Sequence, residues 1–183
     1  RGDFCSKWRT RFESDMDKVN YRSRLPNEAI LETDFLEKRT NFEAMKEAAR
    51  ILHDKGYSYQ LWDTGGKGYH LHVPFNDWAT KAMIRTWAYA TFPKPLADSF
   101  DDANWGEKRL IGMENKPHRK TGNLKTLVEE NKPLGYNDYP SHLLEKVMAW
   151  EATKQKTSPK AQGFHGKCAV CEHATQHAFP GGT

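Results

Sequence analysis

The 183-residue chain has little cysteine and no long apolar run, and each shortage excludes a class of protein. Three cysteines are too few for the disulfide framework of a small secreted domain. No apolar run approaches the ~20 residues that a membrane-spanning helix needs, and no charged-then-apolar leader opens the sequence. We therefore expect an intracellular, reducing location and no membrane partner. Because the chain begins at Arg1 and ends in Gly-Gly-Thr, we also expect a piece of a longer protein.

The chain also lacks a strong net charge, at +4, but its cations are clustered. Between positions 108 and 125, six basic residues accompany one acid, Glu114. The segment 153–167 holds four lysines and no acid. Clusters of this kind suit the phosphate backbone of nucleic acids, which is compatible with a cytoplasmic or nucleoid-associated protein. A solvated surface gives the same pattern, so charge alone leaves both interpretations open.

Hydrophobic periodicity predicts an α+β fold with one sheet, of which one face packs on helices and the other is open to a substrate. A catalytic domain is expected over 1–152, a basic linker over 153–167 and a small Cys/His tail over 168–183. The predicted helices are 3–24, 40–55, 80–91 and 142–152. The second of them is expected to be capped by Thr40 and ended by Gly56. The predicted strands are 29–35, 57–62, 69–75, 108–113 and 124–129.

Two acids at the end of the first predicted strand form the first candidate site. Glu32 and Asp34 are one residue apart, so their carboxylates point to the same side of a strand. Like charges at this spacing repel each other unless cations lie between them. Two divalent metal ions about 4 Å apart suit such a pair. The alternative is an exposed strand face that only needs polar side chains.

A glycine-rich turn between two predicted strands is the more specific signal. It runs Thr64-Gly65-Gly66-Lys67-Gly68-Tyr69-His70. Unhindered backbone amides can form an anion-binding concavity, to which the Thr64 hydroxyl, the Lys67 charge and the His70 ring add. The spacing is not that of a Walker loop, and a strand rather than a helix follows. A plain glycine hairpin remains the alternative.

These motifs together resemble the archaeo-eukaryotic primase superfamily. Ile30-Leu31-Glu32-Thr33-Asp34 is similar to its first motif, and the turn from Thr64 to His70 is similar to its second, especially in the polymerase domains of bacterial end-joining ligases. Phe100-Asp101 resembles its third motif. The segments Lys108-Arg109-Leu110-Ile111 and His118-Arg119-Lys120-Thr121-Gly122 resemble archaeal primase small subunits. The resemblance covers roughly residues 28 to 130.

The resemblance implies an RRM-like palm and a template-directed nucleotidyltransferase, a DNA primase and/or DNA polymerase that uses two Mg²⁺ or Mn²⁺ ions. It implies Glu32, Asp34 and Asp101 as the catalytic metal ligands. Residues implied to bind the nucleoside triphosphate, whether NTP or dNTP, are Thr64, Gly65, Gly66, Lys67, His70, Arg109 and Lys120. The partners would be a single-stranded or primed DNA template and a helicase or further domains of the parent protein.

The chain departs from the family pattern at three places. Glu32 stands where these primases more usually have aspartate, and Gly112 stands where archaeal primases tend to have a second arginine. Asp101 and Asp102 are adjacent, and only the spacing to Arg109 favours Asp101 as the third acid. These departures affect individual assignments more than the family resemblance.

Two other functions compete with this interpretation. His70-Leu71-His72 also matches the metal-binding triplet of rolling-circle nucleases and relaxases, for which Tyr136 or Tyr139 would be the nucleophile. A non-catalytic module that binds single-stranded nucleic acid would explain the basic clusters and the 12% aromatic content. It would leave unexplained the acids at positions that phosphates must approach.

The Cys/His tail is a candidate zinc site. Cys168 and Cys171 have the C-x2-C spacing of zinc ligands, and His173 and His177 follow them. We expect one structural Zn²⁺ held by these four residues. The alternative is a disordered terminus whose thiols bind nothing.

Overall fold

The computed structural model describes residues 20–106, 109–131 and 135–157, and there the chain is an α+β structure with four α-helices and two antiparallel sheets. The tail with its predicted zinc ligands lies outside these residues, as does most of the predicted helix 3–24. The strands are β1 (Tyr21–Ser23), β2 (Glu28–Leu31), β3 (Tyr59–Asp63), β4 (Tyr69–Pro74), β5 (Leu110–Gly112) and β6 (Thr126–Asn131). The helices are α1 (Lys38–Asp54), α2 (Lys81–Thr91), α3 (Lys94–Ser99) and α4 (Leu144–Thr157), with 3-10 turns at Asp102–Trp105 and Ser141–Leu143.

The larger sheet has four strands in the order β2-β4-β3-β6, and every neighbouring pair is antiparallel. Leu71 of β4 lies opposite both Leu31 of β2 and Leu61 of β3, and all three side chains are fully buried. A separate two-stranded sheet joins β1 to β5. Strand β4, which leaves the glycine turn, therefore lies next to β2, which ends just before the predicted acids.

Helix α1 forms where the sequence predicted it and packs on one face of the large sheet. Met45, Ala49 and Leu52 recur at helical spacing and are fully buried against the sheet. Thr40 is not the N-cap: Glu37 holds that position and makes no side-chain cap bond. At the other end, the Gly56 backbone adopts φ 77°, which ends the helix as predicted.

The opposite face of the large sheet carries polar side chains, and it is partly covered rather than open. Trp62, His70 and His72 point to this face because they alternate with the buried Leu61 and Leu71. The small β1–β5 sheet lies over it: Lys125 Nζ donates to the Gly112 carbonyl of β5 at 3.0 Å while it contacts both histidines. The buried histidines of this face need polar partners, and Lys125 and Glu28 supply them.

Several predicted boundaries are wrong for identifiable reasons. Residues 21–23 form a strand rather than the end of a helix, because they pair with 110–112. Helix α3 was not predicted, because Pro95 reads as a loop residue although it is compatible with a first helical turn. Helix α4 continues to Thr157, five residues past its predicted end at 152. Within the described ranges, no helix has the length and apolar content to cross a bilayer.

Candidate active site

The three predicted acids lie on one side of a short backbone ladder. Thr33 pairs with Phe100 in an antiparallel bridge, and the Asp101 amide donates to the Glu32 carbonyl at 2.8 Å. Thr33 and Phe100 are buried on the core side. Because side chains alternate along an extended strand, Glu32, Asp34 and Asp101 point to the opposite side. The fold therefore places acids that are far apart in sequence on the same side of this ladder.

Asp101, and not its neighbour, belongs to this group. The Asp102 carboxylate lies 3.2 Å from Lys81 Nζ and 4.0 Å from Arg85 Nη1, both on α2. Asp101 instead caps the 3-10 turn through the Ala103 amide and lies 3.7 Å from Arg109 Nη2. Two adjacent acids therefore face different parts of the molecule.

Two of the acids are paired with cations that the sequence assigned to phosphate binding, and Glu32 lies beside a histidine of the same set. Asp34 Oδ1 lies 2.7 Å from Lys67 Nζ, and Asp101 faces Arg109. Glu32 Oε2 lies 3.4 Å from His70 Nε2 and accepts a hydrogen bond from Asn104 Nδ2 at 2.6 Å.

The pKa of Glu32 is lowered by these neighbours. Burial would raise it, but hydrogen bonds from His70 and Asn104 and the charge of Arg109 outweigh burial. Glu32 is therefore a carboxylate at neutral pH, which is the form that can hold a divalent cation.

The residues fit divalent metal ions by donor type and by placement, although their side chains do not converge on one point. Carboxylate oxygens are the ligands that Mg²⁺ and Mn²⁺ prefer, and the three acids share one side of the ladder. In the part of the chain that the structure describes, no three His, Cys, Asp or Glu side chains surround a common centre. The Asp34 side chain is 72% exposed, so it can change partners without repacking.

The glycine turn is held closed by its own residues. Thr64 Oγ1 donates to the Gly68 carbonyl at 2.8 Å, and Asp63 Oδ1 accepts from the Gly65 amide at 2.8 Å. The Thr64 hydroxyl proton thus closes the hairpin, where the sequence suggested a bond to phosphate. Gly65 has φ +78°, a backbone conformation that other residues rarely adopt.

A second loop, residues 118–124, packs directly against the glycine turn. Thr121 Oγ1 and Asn123 Nδ2 both donate to the Gly65 carbonyl, at 2.7 and 3.1 Å. A side chain on Gly66 would begin 2.8 Å from His118 Nε2. Two of the segments that carried the family resemblance are therefore in contact, and the contact brings His118 to the site.

The turn and the second loop enclose a cleft of about 450 Å³, a size that suits a nucleotide. Asp34, Gly65 and Asp101 lie outside its lining. Predicted site residues that line it are Glu32, Thr64, Gly66, Lys67, His70, Arg109 and Lys120. Tyr21, Asn104 and His118 line it as well, and the sequence had not assigned them.

A buried charge network lies behind the cleft, and the sequence did not predict it. Arg22 binds Glu28 and Glu114 at 2.8 and 2.9 Å, and Lys125 lies 3.3 Å from Glu114. His72 Nδ1 lies 2.6 Å from Glu28 Oε1. The one available signal was Glu114, the single acid in a basic stretch.

Burial lowers the pKa of the basic members of this network and would raise the pKa of the acidic ones. Burial and the charge of Lys125 lower the pKa of His72 to about 4, so its ring is neutral at pH 7. Burial lowers the pKa of Lys125 to about 8, against the opposing effect of Glu114. Burial would raise the pKa of Glu28, but His72 and Arg22 hold it well below its usual range.

No protein-family model matches the chain, and no curated protein matches it. The function proposed below therefore depends on the side chains and the cleft.

Proposed function

We propose that the chain is the catalytic core of a primase-polymerase, which joins nucleoside triphosphates to a 3′-hydroxyl on a single-stranded DNA template. The observation that carries this proposal is the charge pairing at the cleft. Glu32, Asp34 and Asp101 lie on one side of the ladder, and each is next to a basic or imidazole side chain of the set expected to bind phosphate. Ion pairing alone would also stabilise a structural cluster of acids, but here Glu32, Lys67 and Arg109 line a cleft that can hold a ligand.

A metal–triphosphate complex carries both the negative and the positive charges that complement these basic and acidic side chains. Its phosphates would attract Lys67, His70 and Arg109, and its cations would attract the acids now paired with them. Partner exchange of this kind conserves the number of ion pairs. The cleft therefore suits a triphosphate bound together with divalent ions better than either one alone.

Glu32, Asp34 and Asp101 would hold the two Mg²⁺ or Mn²⁺ ions, which when bound lower the pKa of the attacking hydroxyl and neutralise charge on the leaving group. The 3′-oxygen would form a bond to the α-phosphorus, the bond from that phosphorus to the pyrophosphate would break, and the hydroxyl proton would pass to water. The side chains of the cleft contribute position and charge: Lys67 and Arg109 orient the phosphates in line with the attacking oxygen.

The strand order supports an RRM-like palm in part. The unit β2-α1-β3-β4, with β4 between the other two strands, is the arrangement expected of such a palm. β6 joins the sheet beside β3, whereas the fourth strand of a ferredoxin-like sheet lies beside the first. The polar face of the sheet carries the site, as a palm requires.

The histidines argue against the nuclease alternative. Both ring nitrogens of His72 have partners, Glu28 at 2.6 Å and Lys125 at 3.1 Å, so the ring has no free nitrogen for a metal ion. The Tyr139 hydroxyl donates to the Met83 carbonyl, and burial raises its pKa to about 12. A His-x-His metal site with this tyrosine as nucleophile would need all of these contacts to break.

The adjacent acids provide a matched test of the proposal. We expect Asp101→Asn to lower primer extension by at least about 10²-fold, because an amide is a much poorer metal ligand than a carboxylate. Asparagine keeps the cap to the Ala103 amide, so the fold should be retained. Asp102→Asn, whose carboxylate faces α2, should extend primers at close to the normal rate. Equal loss in both variants would remove Asp101 from the catalytic centre.

A further inference from the structure

Lys125 lies beneath the cleft with its ammonium group against two histidines. Its side chain is 2% exposed, and Nζ lies 3.3 Å from His70 Nδ1 and 3.1 Å from His72 Nε2. The Gly112 carbonyl and Glu114 Oε1 complete its surroundings at 3.0 and 3.3 Å. A buried ammonium group has three hydrogens to share among these four neighbours, which together hold it in position.

The chemistry of these groups determines which ring nitrogen of each histidine carries hydrogen. An ammonium group presents only hydrogens, so a ring N–H turned toward it would be repelled and the nitrogen that faces it is bare. His70 Nδ1 is then the bare nitrogen, and the ring hydrogen is on Nε2. This Nε2 lies 3.4 Å from Glu32 Oε2, at the wall of the cleft.

The same reasoning places the hydrogen of His72 on the other ring nitrogen, Nδ1. Its Nε2 accepts from Lys125, so Nδ1 carries the hydrogen and donates to Glu28 Oε1 at 2.6 Å. Arg22 Nη2 also lies 3.3 Å from this Nδ1, but it donates to Glu28 and Glu114 at 2.9 Å each, which are its better partners. One lysine thus assigns both tautomers.

We propose that Lys125 is a positioning residue that holds His70 with its hydrogen on Nε2, so that the ring donates a hydrogen bond into the cleft to an anionic oxygen. The identity of that oxygen, a phosphate oxygen of the incoming triphosphate, rests on the function proposed above. The tautomer itself does not depend on that function. Without the lysine, neutral imidazole has two tautomers of similar energy, and the form with the hydrogen on Nδ1 turns a lone pair toward phosphate.

The direct test is the imidazole nitrogen spectrum of the wild-type protein, because ¹⁵N shifts distinguish protonated from bare ring nitrogens. Histidine-labelled protein should show His70 with a bare Nδ1 and a hydrogen on Nε2, assigned by the signal lost in His70→Gln. A wild-type His70 with hydrogen on Nδ1 would overturn the proposal without any lysine variant.

Variants of Lys125 test whether the lysine is the cause. Lys125→Met removes the donor at similar volume, and we expect the single His70 tautomer to become a mixture. The apparent KM for nucleotide should rise at least about tenfold, as for the loss of one hydrogen bond to a charged group, with a smaller change in kcat. Lys125→Arg keeps a donor and should restore the tautomer.

A double variant and an independent comparison keep the result interpretable. If Lys125→Met unfolds, Lys125→Met with Glu114→Gln removes both charges of the pair and allows the same spectrum to be recorded. An unchanged His70 tautomer in either variant would overturn the proposal. An Nε2 hydrogen in a protein that incorporates no nucleotide would support the role of Lys125 and count against the proposed function instead.

Discussion

Replacement of Gly65 by alanine measures how firmly the glycine turn is packed against the loop 118–124. Gly65 has φ +78°, and a Cβ there would lie 2.4 Å from the Asn123 carbonyl oxygen. The left-handed conformation costs an alanine roughly 1–2 kcal/mol. Contact with backbone atoms, which cannot rotate away, adds about 1–3 kcal/mol. We therefore expect the free energy of unfolding to fall by roughly 2–5 kcal/mol.

Gly122→Ala is the matched control for this experiment. Gly122 has a similar φ of +75°, but a Cβ there would meet no atom within 4 Å. It should cost only the roughly 1–2 kcal/mol of the left-handed conformation. Urea unfolding of both variants, with the m-value checked for two-state behaviour, isolates the contact by subtraction. If Gly65→Ala is as stable as Gly122→Ala, the two loops do not pack as described.

Two further predictions concern the buried network and the tail. The pKa of His72 falls from 6.5 to about 4 on folding, so the unfolded chain binds a proton that the folded chain does not. His72 should therefore contribute fully above pH 6.5, and this contribution, up to about 3 kcal/mol, should be lost toward pH 4. The pKa of His118 is also lowered by burial and acts in the same direction, so His72→Gln should reduce this slope in pH-dependent urea titrations, and an unchanged slope would refute the prediction. For the tail, elemental analysis should find one zinc per chain, reduced in Cys168→Ser; a wild-type content near zero would refute the zinc site.

The sequence was sufficient to predict the central elements, and most of the site residues that it predicted line the cleft. Glu32 directly follows β2 and His70 lies in β4, the alternation along each strand assigns its faces, and the glycines mark the turn between β3 and β4. These are local signals, readable from neighbouring residues. The βαββ order and the position of α1 followed from them.

The sequence could not predict the cover over the polar face or the network beneath the cleft. β1 has only three residues and pairs with a strand about ninety positions away, so no local pattern marks it. Lys125 reads as one more surface lysine of a basic stretch, and its burial depends on partners from β4 and β5 and on Glu114. The choice between Asp101 and Asp102 likewise required the position of α2.

The central claim, that this cleft joins nucleotides on a template, is tested most directly by extension of a primer on single-stranded DNA. Wild-type protein with Mn²⁺ or Mg²⁺ should add only the nucleotide complementary to a homopolymer template, and a chelator should stop the reaction. Asp34→Ala should lower incorporation by several orders of magnitude while its unfolding transition is unchanged, because an exposed metal ligand contributes to chemistry and little to packing. Wild-type incorporation no greater than in the chelated control, or equal incorporation by Asp34→Ala, would contradict the account.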